Sequence, residues 1–580
     1  MDASALKCAP FAGALWPALS RITSFRRTHT RPRCLYMESE AASEAADDLG
    51  SQLAKLSCIQ QIHLCCNGIC AFGIASLAPH LTHLTSIQKL DLSCNTIDPN
   101  GFKSLGPHLA HLTSLKQLHL CGNQICDSGI KSLGPHLAHL TSIKELNLGH
   151  NRIQHDGIKS MGPNLGVLKC MQQLYLNNNE IGDDGAKALG PHLAHLTCLK
   201  QLHLHCIRIR REGIKSLGPH LAVLKCMQQL HLIHNDLGVD GAKALVPHLT
   251  HLNSIQQLYL GYIRINDDGA KSLGPHLAHL TCIKQLSLDS NRIGDGSIKA
   301  MGPHLAHLTS IQQLKLEWNE IGDEGVKSLV SHLAVLTCMQ NLDLSCNQIR
   351  VIGIRAPGAL HARLTSIQHL SLSFNHIGAA CAESLGPHLA HHVSMKKLNL
   401  NNNRIGPDGA ESLAPHLANL TSMQHLALTG NGIGAESLGP HLVHLTCITQ
   451  LDLDHNQIGD DGAKAMGPNL AHLTSIQQIS LGGNQIGDDG AKPLGPHLAH
   501  LKCIQQLHLS DNIIGADGAT SLGPHLAHLT FIQQLELGEN QVGDEGVKSL
   551  GPHLAHFKCI QRLRLRKKTV AMVSDRWGRT

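Results

Sequence analysis

The sequence predicts an α/β solenoid, a parallel sheet curved into a horseshoe with strands on the concave side and helices on the convex side. Three observations carry that prediction. From Asn67 to Asn540 one block recurs about 18 times at a spacing of 28 residues, with a single 25-residue exception. Within each block a short polar/apolar alternation, which suits a strand, is followed by apolar residues three and four apart, which suit one face of a helix. Copies at a period of roughly 20 to 50 residues are supersecondary units that bury their apolar faces only against one another, so length here adds repeats rather than domains.

The elements follow in order within the block around Asn123. Gln117, Leu118, His119 and Leu120 alternate, so Leu118 and Leu120 face inward from a short strand and His119 faces outward. Asn123 then turns the chain away from the sheet, and its amide can bond the unpaired backbone of its own loop and of the neighbouring one, forming a ladder. Ile125 packs beneath it. Asp127 stands where an N-cap is expected, before a helix whose stripe is Ile130, Leu133, Leu137 and Leu140. Pro135 lies nearly opposite that stripe, where its missing N–H faces water, although two short helices separated at Gly134 also fit. Parallel strands stack about 4.8 Å apart and helices about 8–10 Å apart, and this mismatch is the source of the curvature.

The register is nearly unbroken. Ile207 and Ile263 occupy the asparagine slot in two repeats, and Lys568 stands where the next marker would fall, so the array is expected over 38–568. The 25-residue repeat between Asn431 and Asn456 has Gly434-Ala435-Glu436 in place of the usual D-D-G-A-K segment and should lose nearly a turn of helix. Arg562, Arg564, Arg566, Lys567 and Lys568 replace strand and marker residues at the end, where charge blunts an exposed edge; 569–580 reads as a basic disordered tail.

The block L-x-L-x-x-N-x-I-x-x-x-G-x-x-x-L resembles the leucine-rich repeat of the ribonuclease-inhibitor class, which includes the repeat domains of NOD-like receptors and of Ran GTPase-activating proteins. The resemblance spans almost the whole chain and implies a leucine-rich-repeat solenoid. For function it implies protein recognition, with regulation of a Ran-like GTPase, NOD-like-receptor-type sensing and ribonuclease inhibition as the alternatives, because these relatives use one scaffold differently. The basic C-terminus departs from the acidic tail that follows the repeats in Ran GTPase activators.

Composition narrows the function class. A net charge of +5 with interspersed signs points to neither nucleic acid nor membrane as partner. No apolar run is long enough for a transmembrane helix. Twenty cysteines in a self-closing repeat do not form a secreted disulfide framework; Cys58, Cys170, Cys198, Cys226, Cys282, Cys338, Cys447, Cys503 and Cys559 share one slot with Ser86 and Ser142, which suggests half-buried reduced thiols in the cytoplasm or nucleus. Residues 1–37 are a disordered leader, with Met37 a possible start, or an organellar targeting segment, since Arg21, Arg26, Arg27, Arg31 and Arg33 come with no acid between Asp2 and Glu38. Glu38 to Asp48 reads as the polar edge of the first repeat.

No phosphate-binding loop, nucleophile elbow or H-E-x-x-H motif occurs, so the chain is read as no enzyme, without cofactor or metal site. Most of the 44 histidines fall in helix pairs such as His136 and His139, with the first on the flank of the helix and the second toward solvent. Equivalent atoms of adjacent helices are about 10 Å apart, too far for one ion, so copied surface residues is the reading. Cys65, Cys66, Cys70, Cys94, Cys121 and Cys126 cluster near the start, as reduced thiols or, less simply, a metal or redox group. The outward strand positions are where the copies diverge. Aromatics are only 2% of the chain, yet Tyr175, Tyr259, Tyr262 and Trp318 fall in the middle repeats, together with His203, His231 and Lys315. Aromatic anchors concentrate recognition energy, so these seven residues are the expected partner-binding surface of a monomeric scaffold that grips a protein of unknown identity.

Overall fold

A computed structural model of the 580-residue chain describes residues 47–52, 59–350, 366–434 and 436–565; the expectations for the leader and the tail fall outside them. The chain divides into two compact units between Ile293 and Gly294. The first carries β1 (Gln61–His63), β2 (Lys89–Asp91), β3 (Gln117–His119), β4 (Glu145–Asn147), β5 (Gln173–Tyr175), β6 (Gln201–His203), β7 (Gln229–His231), β8 (Gln257–Tyr259) and β9 (Gln285–Ser287). Each pairs with the next in parallel, one period on, so that Gln61 faces Lys89 and Gln257 faces Gln285.

The second unit carries β10 (Gln313–Lys315), β11 (Asn341–Asp343), β12 (His369–Ser371), β13 (Lys397–Asn399), β14 (His425–Ala427), β15 (Gln450–Asp452), β16 (Gln478–Ser480), β17 (Gln506–His508), β18 (Gln534–Glu536) and β19 (Arg562–Arg564), again parallel and paired in order. In both units a helix follows most strands and packs beside the next helix, with the leucines between the two layers. Around Asn123 the core residues Leu118, Leu120, Ile125, Ile130, Leu133, Leu137, Leu140 and Ile143 are all at most 2% exposed. The fold is therefore the leucine-rich-repeat solenoid that the period predicts.

Three-residue strands are too short to hold a sheet alone, and the marker asparagines supply what is missing. Asn151 donates through Nδ2 to the carbonyls of Leu120 (3.0 Å), Leu148 (3.1 Å) and Gly149 (2.9 Å), while its Oδ1 accepts from the amide of Asn123 (3.2 Å). This is the expected ladder. It also crosses the 25-residue repeat, where Asn431 N–H reaches Asn456 Oδ1 at 3.0 Å. Ile207 and Ile263 are buried but have no amide to offer.

The turn after each strand imposes a second constraint. The residue before each marker, from Cys66 to Glu539, has φ between 52° and 69°. Glycine fills this slot at Gly122, Gly430 and Gly483, but Tyr262, Trp318 and Phe374 are held there at 54°, 55° and 53°. A bulky residue in that region costs about 1–2 kcal/mol, and the ladder on either side enforces it. The result is display: these three side chains are 42%, 61% and 57% exposed.

Several expectations need correction. Asp127 does not cap its own helix, Cys126–Leu137, whose N-cap is Ile125 with no side-chain bond. Its Oδ1 accepts instead from the amide of Gln154, the N-cap of the next helix, at 2.7 Å. The same reach recurs from Asp183 to Arg210, from Asp295 to Gly322 and from Asp488 to Gly515. Asp460 accepts from both Gly487 (2.6 Å) and Gly490 (2.9 Å), as Asp488 does from Gly515 and Gly518. A Cβ on Gly490 would stand 2.6 Å from the Asp460 Oδ1, which is why this slot holds glycine. These helix starts are thus satisfied by the preceding repeat, because an acid in the first turn lies beside the neighbouring helix's free N–H groups, whereas Asp98 caps its own helix by accepting from the amide of Gly101.

Of the two helical alternatives, the single continuous helix forms, with Pro135 inside its last turn. The first histidine of the pair is half-buried and the second exposed, as expected, but the first has a packing role: a Cβ on Gly106 would meet His136 Cδ2 at 2.6 Å, so the ring lies on the glycine of the preceding helix. Residues 47–52 are helical: Asp47 and Asp48, the described part of the polar edge expected over 38–48, are exposed, while Leu49 is buried and Gly50 lies under His80 in the same manner. The 25-residue repeat keeps only a four-residue helix, Gly439–Leu442, where its neighbours have twelve. The loss is about two turns rather than nearly one, because the missing segment would have formed the helix start. Finally, Arg562–Arg564 does form a strand: Arg562 Nε lies 2.7 Å from Glu536 Oε1 on β18.

Candidate functional site

In-register pairing lines up the outward residue of each strand of the first unit in one row: His63, Asp91, His119, Asn147, Tyr175, His203, His231, Tyr259 and Ser287. Most are half-buried, since neighbours about 4.8 Å apart shield one another. The row has two parts of opposite character.

The first part is charged. His119 Nε2 lies 2.9 Å from Glu145 Oε1 and its Nδ1 3.8 Å from Asp91 Oδ2. The carboxylates of Asp91 and Glu145 raise the His119 pKa to about 9, so the ring is a cation at neutral pH. Burial opposes ionisation of Asp91, but hydrogen bonds from His119 and Ser93 outweigh it and hold the carboxyl well below its usual range. Glu145 is lowered by His119 in the same way.

The second part is neutral and aromatic. Tyr175 stacks on His203 (centroids 4.3 Å apart, planes at 24°), His203 on His231 (4.0 Å, 18°) and His231 on Tyr259 (4.2 Å, 22°). Rings at one register of adjacent parallel strands can hardly avoid stacking. The end rings are pinned: Tyr175 Oη donates to the side-chain oxygens of Gln173 (3.1 Å) and Gln201 (3.2 Å), and Tyr259 Oη to those of Gln257 and Gln285. Beyond the buried Leu204, His205 returns to the same face and meets the stack edge-on, 6.0 Å from His203 at 71° and 6.2 Å from His231 at 53°. Burial lowers all three histidines, His203 to about 4 and His231 to about 3, so they are neutral. A second stack pairs His234 with Tyr262 at 4.1 Å.

Of the seven residues expected to bind a partner, Tyr175, His203, His231 and Tyr259 come together in one stack, and Tyr262 stands on His234. Lys315, half-buried on β10, and Trp318, exposed in the turn after it, belong to the second unit. In that unit Asp452, in register with Ala427, has its Oδ2 2.7 Å from Nε2 of His425 at the start of β14. His205 and His234 were missed. The signal was present in L-H-L-H at 202–205, where two histidines of one strand segment face the same way with His231 one period on.

The cysteine expectations divide. All 17 cysteines among the described residues are free, but the repeated slot from Cys170 to Cys559 is exposed rather than half-buried, because it lies in the turn between helix and strand. Cys58 lies outside the described residues. In the first repeats Cys94 is raised to about 11 by burial and by Cys66 and Cys121, so it is a thiol, not a thiolate.

A strand-and-helix solenoid presenting one ordered row of side chains on each unit defines the class, a repeat scaffold. The chain belongs to the leucine-rich-repeat family: the profile described as Leucine Rich repeat matches residues 80–106, 111–134, 139–162, 167–190, 223–246, 279–302, 307–330, 363–386, 391–414, 419–439, 444–467, 472–495, 500–523 and 528–551, more than half of the chain. A second profile, Leucine Rich Repeat, matches 198–217. Comparison with curated proteins finds no match. Among solved structures, a leucine-rich-repeat protein of Leptospira interrogans is 18% identical over 88% of this chain and 97% of its own, with a TM-score of 0.45. An internalin of Listeria monocytogenes is 21% identical over 65% and 87%, with a TM-score of 0.44. The ectodomain of the Arabidopsis receptor kinase HAESA, solved with a peptide hormone, is 17% identical over 84% and 83%, with a TM-score of 0.36. The likeness is confined to fold. Among the described residues no helix is long and apolar enough to cross a membrane.

Proposed function

We propose that the chain is a non-catalytic recognition scaffold that takes a protein partner on its strand face, with the middle of the first unit as the contact surface. The observation that carries this reading is the pinned four-ring stack from Tyr175 to Tyr259. It concentrates rigid aromatic area in a chain with 2% aromatics, and such area loses little entropy on binding. Free cysteines exposed in the helix-to-strand turns support a reducing compartment, and a 28-residue period with helices of 11 or 12 residues supports the ribonuclease-inhibitor-like subtype.

The test is affinity capture with the intact chain and with Tyr175→Ala/Tyr259→Ala, with Trp318→Ala made separately. A central aromatic typically carries about 2 kcal/mol or more, so the double variant should lose partner capture while its circular-dichroism melt stays that of the intact chain. Undiminished capture places the contact elsewhere. Stimulation of GTP hydrolysis by a purified Ran-like GTPase would replace the scaffold reading with the regulatory one.

A further inference from the structure

The aromatic row contains a constellation that partner recognition does not require. His203 and His231 are register partners on β6 and β7, and His205 projects on the same side two residues after His203. One imidazole nitrogen from each lies within 4.8 Å of the other two. His203 Nε2, His205 Nδ1 and His231 Nε2 are each shielded from solvent and meet no hydrogen-bond partner. Buried polar nitrogens are almost always satisfied. An unsatisfied nitrogen on each of three imidazoles whose ligand atoms can lie within 4.8 Å of one another is the pattern of ligands without their ion. We propose that His203, His205 and His231 form a binding site for a divalent transition-metal ion of the zinc class, with three imidazole ligands and a fourth position left to water or an incoming donor.

The donor set selects the metal. Nitrogen-only coordination suits zinc, copper, nickel and cobalt, whereas calcium and magnesium need oxygens, and no carboxylate belongs to the group. Three nitrogens on one tetrahedral zinc, at about 2.0–2.1 Å each, stand roughly 3.4 Å apart. Closing from the present spacing takes side-chain rotations of about an ångström, with the strand backbones fixed by their pairing. Because His205 is edge-on to His203 and tilted by 53° to His231, the three rings are not parallel, as ligands converging on a single ion require. Tyr175 and Tyr259 bracket the site with hydroxyls already bonded to glutamines, so they orient the imidazoles and leave them as the ligands.

Histidines elsewhere in the first unit are differently engaged. His119 is held by two carboxylates, and His136 lies on Gly106. Metal binding by the purified chain stands or falls apart from partner capture, so the two proposals fail separately.

The test uses the full chain without a polyhistidine tag, stripped with chelator and titrated with Co2+ and then Zn2+. We expect one tight equivalent, visible cobalt bands of tetrahedral type without thiolate charge transfer, and displacement by zinc. His203→Gln, His205→Gln and His231→Gln should each weaken binding by more than about tenfold, while His136→Gln should bind as the intact chain does. Absence of saturable binding, a thiolate band, or any one folded histidine variant that keeps the intact affinity overturns the site. Should none of the three fold, pulsed EPR of Cu2+ on the intact chain counts the imidazole donors: three sustain the site and fewer remove it.

Discussion

Asn151 uses both ends of its amide, donating to three carbonyls across two repeats and accepting from the loop of the preceding one. Asn151→Ala leaves those groups buried and unpaired and should cost roughly 1–3 kcal/mol in urea unfolding. Ile207→Asn fills a gap in the same ladder and should be neutral or stabilising; a clear loss there would mean that Ile207 serves packing alone. His119 gives a residue-scale pH dependence. Its pKa is raised from 6.5 to about 9, so folding favours the charged ring; that stability is fully present below 6.5 and is lost as pH climbs through 9. Asp91 and Glu145 are depressed, so their contributions are present above the ordinary carboxylate range and fade as pH falls through it. The stability gap between the intact chain and His119→Gln should therefore shrink from pH 6.5 to 9, with a slope no steeper than about 1.4 kcal/mol per pH unit. A constant gap would mean that His119 is neutral throughout.

Several helix starts depend on an acid one repeat earlier. Asp460→Ala removes the acceptor for Gly487 and Gly490 and should cost about 1–2 kcal/mol, whereas Asp461→Ala, exposed on the same helix turn, should melt with the intact chain. Equal melting of the two variants would reduce the inter-repeat bond to a bystander. This element also shows where reading the sequence succeeds and stops. Strand, helix and ladder were legible because their partners sit within one repeat or recur at its period. Asp127 was misread because a local rule assigns such an acid to its own helix, while the N–H it satisfies is 27 residues on. All four residues of the aromatic stack were visible, as outward strand positions in the repeats that hold the unusual run of tyrosines. His205 was not, because facing His203 and His231 is a property of two strands in register, which no single repeat displays.

At the scale of the molecule, a typical repeat carries one half of two joints: an acid and a glycine for the repeat that follows, and a free helix start and a histidine for the one before. Excising Asn123 to His150, one full period, should therefore leave a chain that melts within a few degrees of the parent, since Gly122 then meets Asn151 in an equivalent slot. Excising half a period should unfold the repeats around the cut; similar melting of both would refute the joint. Because donor and acceptor halves travel in the same 28-residue unit, the position of a cut is immaterial and only its length counts. Such a gene can lengthen or shorten by unequal exchange anywhere along the array without remaking a single interface. The stunted helix at Gly439–Leu442 records what a three-residue departure from that rule costs, a lost helix start beneath a ladder that still closes.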